Sequence, residues 1–182
     1  IQDIFSDLSN FGNISENPEK LNINLGNLGG GGGASGDWIH LNSIDYNESL
    51  DLIAISSRKM NEFYFIDHST TTAESSTHIG GNYGRGGDLL FRWGNPQNYD
   101  RGYSYEKILD DQHGINWIPD GYPGGGNLIL YNNDYANNSS AVFEIETPLN
   151  TDGTYNLEPD QSFGPDFPVW MHTGNFHTQM QG

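Results

Sequence analysis

The sequence predicts an all-β fold built from four-stranded, blade-like repeats. Three observations lead there. Aromatic residues make up 13% of the 182 residues, with 24 glycines and abundant Asn, which favours short strands joined by turns over helices. Short runs that are apolar or alternate in polarity recur between turn signals. Four such runs occur twice in the same order. The length itself suggests about one domain, at roughly 100–200 residues per domain.

In chain order, residues 1–36 read as irregular, because Asn and Gly are frequent and the run Gly29–Gly33 cannot hold regular structure cheaply. They are assigned to a preceding blade. Strand-like segments follow at 38–44, 51–57, 61–67 and 88–93, then at 113–118, 126–132, 140–146 and 168–172. The best helical stretch is short, 103–111 (YSYEKILDD). The first copy reads WIHLNSI, DLIAISS, NEFYFID, DLLFRWG, and the second HGINWI, GNLILYNN, SAVFEIE, PVWMHTG, at offsets from 73 (113 against 40) to 79 (142 against 63). The repeats therefore span about 37–110 and 111–182. Four strands per unit, the last carrying a Trp, is the pattern of a propeller blade. Two blades cannot close a ring, so the sequence is expected to continue into further blades or to pack on other chains. Residue 1 is not Met and no signal peptide is visible, which reads as a mature form or a fragment.

Charge narrows the function classes. There are 24 acidic and 7 basic residues, a formal charge of −17, and no Lys or Arg follows Lys107. Nucleic acid and anionic membrane surfaces both need clustered cations, so neither is an expected partner. Cysteine is absent, which removes disulfides, thiolate metal sites and a Cys nucleophile. No apolar run approaches the roughly 18 residues of a membrane span.

Several residues could carry chemistry. His40 and Asn42 are two apart on an expected strand, so their side chains share a face. If 38–44 and 51–57 form a hairpin turning near Asn47–Ser49, Arg58 lands nearly opposite His40. A His–Asn–Arg cluster of donors suits a tetrahedral oxyanion, although a surface arginine beside a half-buried strand is the simpler alternative. His113 occupies in the second repeat the place of His40 in the first, so the repeat predicts that the two converge. Each could instead be a structural hydrogen-bonding residue at a strand start. The other histidines are weaker: His68 in a turn-like IDHSTTT, His78 before GGNYGRGG, and His172 and His177 near the end. The glycine-rich run 80–87 precedes a strand, whereas a phosphate loop follows a strand and opens a helix. No HExxH, EF-hand or close His pair marks a metal site, and no cofactor is expected. Asp110 and Asp111 could form a carboxylate pair for glycoside hydrolysis, but a solvated acidic surface explains them as well.

The run DWIHLNSIDYN, DLIAISSR, NEFYFIDHSTT, HIGGNYGRGGDLLFRWGNPQNY, QHGINWI, GNLILYNN resembles the aryl-sulfate sulfotransferase family over essentially the whole sequence, IQDIFSDLSNFG included. The most specific pieces are His-x-Asn at 40–42, Ser-Ser-Arg at 56–58, GGDLLFRWGNP at 87–96 and Gln-His at 112–113. The resemblance implies a six-bladed β-propeller, of which this sequence supplies two to three blades, periplasmic or secreted. It implies sulfuryl transfer from a phenolic sulfate ester to a phenol, without a nucleotide donor, by a ping-pong route through a sulfurylated histidine. Carried over by motif, His113 is that nucleophile. His40, Asn42 and Arg58 bind the sulfuryl oxygens, and His40 aids proton transfer. Sulfuryl transfer resembles phosphoryl transfer, with charge spread over equatorial oxygens that fixed donors must meet. A further family histidine belongs to a blade before residue 1, so this stretch alone is expected to be inactive. Gly114 stands where the family pattern suggests an acidic or amide residue.

The expected partners are a phenolic sulfate donor, a phenol acceptor and the remaining blades, with a homo-oligomer also allowed. The alternative is a non-catalytic extracellular propeller acting as a binding or structural module, because function resides in the site and not in the fold. The sequons at Asn13, Asn47, Asn137 and Asn138 fit either secreted reading.

Overall fold

The computed structural model describes residues 13–22, 25, 37, 39–136, 139–174 and 176–178. The IQDIFSDLSNFG start, the Gly29–Gly33 run and the sequons Asn137 and Asn138 lie outside the described residues. Among the described residues the fold is all-β: eight strands form two antiparallel sheets, each a simple meander. The first holds β1 (Leu41–Asn47), β2 (Leu52–Ser57), β3 (Glu62–Asp67) and β4 (Leu89–Trp93). The second holds β5 (His113–Trp117), β6 (Leu128–Ala136), β7 (Ser139–Ile145) and β8 (Trp170–Thr173).

One apolar core lies between the sheets. Leu52, Ala54, Phe63, Phe65 and Phe91 of the first meet Ile115, Trp117, Leu128, Leu130 and Phe143 of the second. Phe65 stacks on Trp117 with centroids 5.3 Å apart. The loop residues Tyr155 and Phe163 pack on Phe91 at 4.9 and 5.4 Å, within the range favourable for aromatic pairs. Alternation in β2 and β6 places Leu52 and Ala54, and Leu128 and Leu130, on this inner face.

The other face of β3 and β4 carries a fully buried ion pair. Arg92 Nε and Nη2 donate to Glu62 Oε1 and Oε2 at 2.8 and 2.6 Å. Its Nη1 donates to the carbonyls of Pro18 and Lys20. The guanidinium lies over the Tyr99 ring, 4.3 Å from its centroid. Leu89 N also donates to Glu19 O. Residues 18–20 are thus held against the first sheet.

Two local expectations change. The stretch 103–111 forms only a 3₁₀ turn at Ser104–Glu106, and Lys107 is already extended. The chain is drawn out there because Leu109 is buried in the core and Ile108 N bonds to Gly94 O. Strand β1 begins at Leu41, because His40 has φ +46° and cannot continue a ladder. His40 and Asn42 therefore do not share a strand face, and a register shift between Leu41 and Ser43 separates them further.

Candidate active site

Three of the four expected site residues, Asn42, Arg58 and His113, meet at the chain segment that enters the second sheet, Asp111–Gln112–His113, and His40 joins them, among the described residues, only through a backbone bond to Arg58. The edge strands β1 and β5 of the two sheets lie side by side here. They are joined by side chains in place of a ladder: Ser43 Oγ accepts from Ile115 N at 3.0 Å, and Asp45 Oδ2 from Trp117 N at 2.8 Å. Asn42 Nδ2 donates to Gln112 O at 2.7 Å. Arg58 Nη2 pairs with Asp111 Oδ2, and Asp111 N donates to Asn61 Oδ1. Gln112 is fully buried, and its Nε2 reaches back into the first sheet, to Ser56 Oγ, Ser57 O and Glu62 O.

The hairpin sets Arg58 where the sequence predicts it. Arg58 N donates to His40 O at 3.0 Å, so the two residues are direct neighbours across β1 and β2. Arg58 keeps 20% of its side chain exposed and Asp111 26%. Among the described residues only Nη2 is engaged, by the Asp111 carboxylate, so Nε and Nη1 keep donor capacity. His40 is 36% exposed, with Nδ1 2.5 Å from Asp37 Oδ2.

His113 is held in a defined tautomer. Its Nδ1 lies 2.7 Å from Asn133 Oδ1 and 2.9 Å from Asp111 O. A backbone carbonyl can only accept. Asn133 presents its oxygen to the ring because its Nδ2 donates to Thr178 O at 2.9 Å. Both neighbours are acceptors, so Nδ1 carries a proton, and in the neutral ring the lone pair sits on Nε2. Among the described residues Nε2 has no hydrogen-bond partner. A neutral imidazole with Nε2 bare is a competent nucleophile.

The repeat equivalence of His40 and His113 does not hold in the backbone. The bond from Arg58 N to His40 O is matched in the second sheet by Asp134 N to Asp110 O, at 3.1 Å. Asp110 therefore stands in the place of His40, and His113 enters three residues later, paired with Tyr131. The ladder shifts again between His113 and Asn116. Gly114 has φ +66°, a conformation that suits glycine, and the acceptors on Nδ1 come from Asn133 and Asp111 instead of residue 114.

Asp110 and Asp111 do not form a joint carboxylate site: Asp110 pairs with Lys107 at 2.7 Å and Asp111 with Arg58. The remaining histidines are engaged by other partners. His68 pairs with Asp51, His78 with Asp88 and His177 with Asp134, while His172 stacks between Trp170 and Phe176. A cavity of about 710 Å³, lined by Trp93, Tyr99, Tyr105, Phe163 and Phe167 among others, touches none of the four expected site residues.

Sequence reasoning passed over three contributors: Asn133, Gln112 as a buried anchor, and the Asp111 carboxylate. A signal for Asn133 was present, because two consecutive amides interrupt the apolar run of GNLILYNN.

A family model described as Arylsulfotransferase (ASST) matches residues 17–151. No curated protein and no solved structure matches the chain.

Proposed function

The chain belongs to the arylsulfotransferase family, and we propose that it supplies the nucleophile and anion-binding side chains for sulfuryl transfer from an aryl sulfate to a phenol. In this reading the two sheets are neighbouring blades of a propeller, with β1 and β5 innermost. The observation that carries the proposal is His113: Nδ1–H is fixed by two acceptors and Nε2 is bare, on the same tripeptide that Arg58 and Asn42 grip.

In the first half-reaction His113 Nε2 attacks sulfur in line with the departing aryl oxygen. The Nε2–S bond forms, the S–O(aryl) bond breaks, and the phenolate leaves with that electron pair. Positive charge spreads over the imidazole ring, where Nδ1–H strengthens its bonds to Asn133 Oδ1 and Asp111 O. Arg58 and the remaining N–H of Asn42 meet the sulfuryl oxygens as charge builds there. A phenol has a pKa of about 10, so its phenolate is a moderate leaving group that benefits from a proton donor. His40, bonded through Nδ1 to Asp37, is assigned that proton. In the second half-reaction an acceptor phenol returns its proton to His40 and its oxygen attacks sulfur, the Nε2–S electron pair going back to the ring. The Nε2–S bond breaks and neutral His113 returns.

The test compares the intact protein with His113→Ala, following release of the coloured phenolate from 4-nitrophenyl sulfate with and without phenol. Phenol-dependent turnover that His113→Ala abolishes is the expected result. Absence of turnover in the wild type across aryl sulfates and pH would refute the proposal. It would favour the second reading, a non-catalytic propeller module, for which the Arg58–Asp111 pairing speaks because it already partly neutralises the guanidinium.

A further inference from the structure

We propose that Gln112 is a positioning residue that fixes the spacing between Arg58 and His113. This rests on the sulfuryl-transfer reading above and deepens it. The two groups sit on different sheets, which share no hydrogen-bonded ladder. Something must therefore set their separation to within a fraction of an ångström if both are to act on one sulfur centre.

Two paths link them: the Arg58–Asp111 ion pair, whose Asp111 O accepts from His113 Nδ1, and the Gln112 amide, which alone among the described residues anchors the backbone beside His113 to the backbone beside Arg58. Nε2 donates to Ser57 O at 2.9 Å, and Ser57 is bonded directly to Arg58. On the other side Gln112 is bonded directly to His113. A second bond, to Glu62 O at 3.0 Å, grips the residue that pairs with Ser57 at the end of the β2–β3 hairpin. The contact to Ser56 Oγ at 3.1 Å adds a third. The carbonyls of Ser57 and Glu62 can only accept, so the amide has one orientation. Gln112 O in turn receives Asn42 Nδ2, so the same residue also places the third anion-binding side chain. The side chain is fully buried and touches no substrate; it acts through its neighbours.

The experiment uses the intact protein and 4-nitrophenyl sulfate with phenol as acceptor. Gln112→Met keeps length and apolar bulk and removes both N–H donors. We expect kcat to fall by about 10- to 100-fold, the scale of loss for a misplacement near 1 Å. Carbethoxylation of His113 by diethylpyrocarbonate needs only the Nε2 lone pair, so its rate should stay within about twofold of wild type, a result a general loss of structure would not give. Combined with Arg58→Lys, Gln112→Met should cost less than about threefold further, because residues that act as a unit are not additive. Wild-type turnover that Gln112→Met leaves unchanged, or losses that multiply in the double variant, would overturn the positioning role alone. No turnover in the wild type would overturn the sulfuryl-transfer reading and this role with it. If Gln112→Met does not fold, Gln112→Asn carries the same test. It keeps the amide and shortens its reach by one methylene, and full activity there would overturn the proposal.

Discussion

Replacing Asn133 with Ala removes one of the two acceptors on His113 Nδ1 and leaves Asp111 O at 2.9 Å as the other. A hydrogen bond of this kind contributes about 0.5–1.5 kcal/mol. The imidazolium-like transition state strengthens it, because the donor gains charge while the acceptor stays fixed. Losing it should lower kcat/KM by roughly 3- to 10-fold, with the donor KM nearly unchanged, since the bond matters more in the transition state than in the ground state. The substitution also removes the Asn133 Nδ2 bonds to Thr178 O and Oγ1, which should cost about 0.5–1.5 kcal/mol of stability. Rates should therefore be taken well below the melting transition, by initial release of 4-nitrophenolate over a range of donor concentrations. An Asn133→Ala protein with wild-type kcat/KM, or one altered in KM alone, would refute the argument that Asn133 holds the reactive tautomer.

Two further predictions concern the fold. Arg92→Met should destabilise by about 3–5 kcal/mol, read by thermal or urea unfolding, because it leaves the buried Glu62 carboxylate uncompensated; loss under about 1 kcal/mol would contradict the buried pairing. Stability should also fall at alkaline pH. Burial, and after it the negative charge of Glu62, pushes the Tyr99 hydroxyl up from its ordinary value of 10.0 to about 12. The folded state thus holds that proton more tightly than the unfolded chain. The stabilisation is complete below pH 10 and is lost as pH rises from there through about 12, by roughly 2–3 kcal/mol at about 1.36 kcal/mol per pH unit. Tyr99→Phe should reduce the slope of the unfolding curve there by Tyr99's share, because burial also raises the Tyr64 and Tyr155 hydroxyls and their contributions are lost over the same range.

Much of the strand pattern was legible in the sequence. Each of the eight expected strand segments overlaps an observed strand, because alternation and short apolar runs report which face is buried. The hairpin that sets Arg58 beside His40 follows from the same periodicity. The errors have physical causes. A left-handed His40 and a shifted start to β1 cannot be read from residue types, and they broke the assumed shared face with Asn42. The linkers leading into the two sheets differ, so matching His40 to His113 by residue type gave the wrong equivalence. Gln112, Asn133 and Arg92 act on partners 20 to 74 residues away in the sequence. No local pattern contains that information. Arg92 was read only as part of a strand, although its charge in the apolar run DLLFRWG called for a buried counter-ion.

The Arg92 guanidinium has a consequence for how the chain comes apart. Two of its contacts go to Glu62 and two to the carbonyls of Pro18 and Lys20. The group that neutralises a charge under the first sheet is therefore also the one that fastens the preceding segment to it. Residues 18–20 cannot peel away without stripping Arg92 Nη1 of both acceptors, and β3 cannot leave β4 without breaking the Arg92–Glu62 pair. Loosening the segment therefore weakens the Arg92 cradle that neutralises Glu62, so the segment and the buried pair are coupled in how the first sheet opens to solvent.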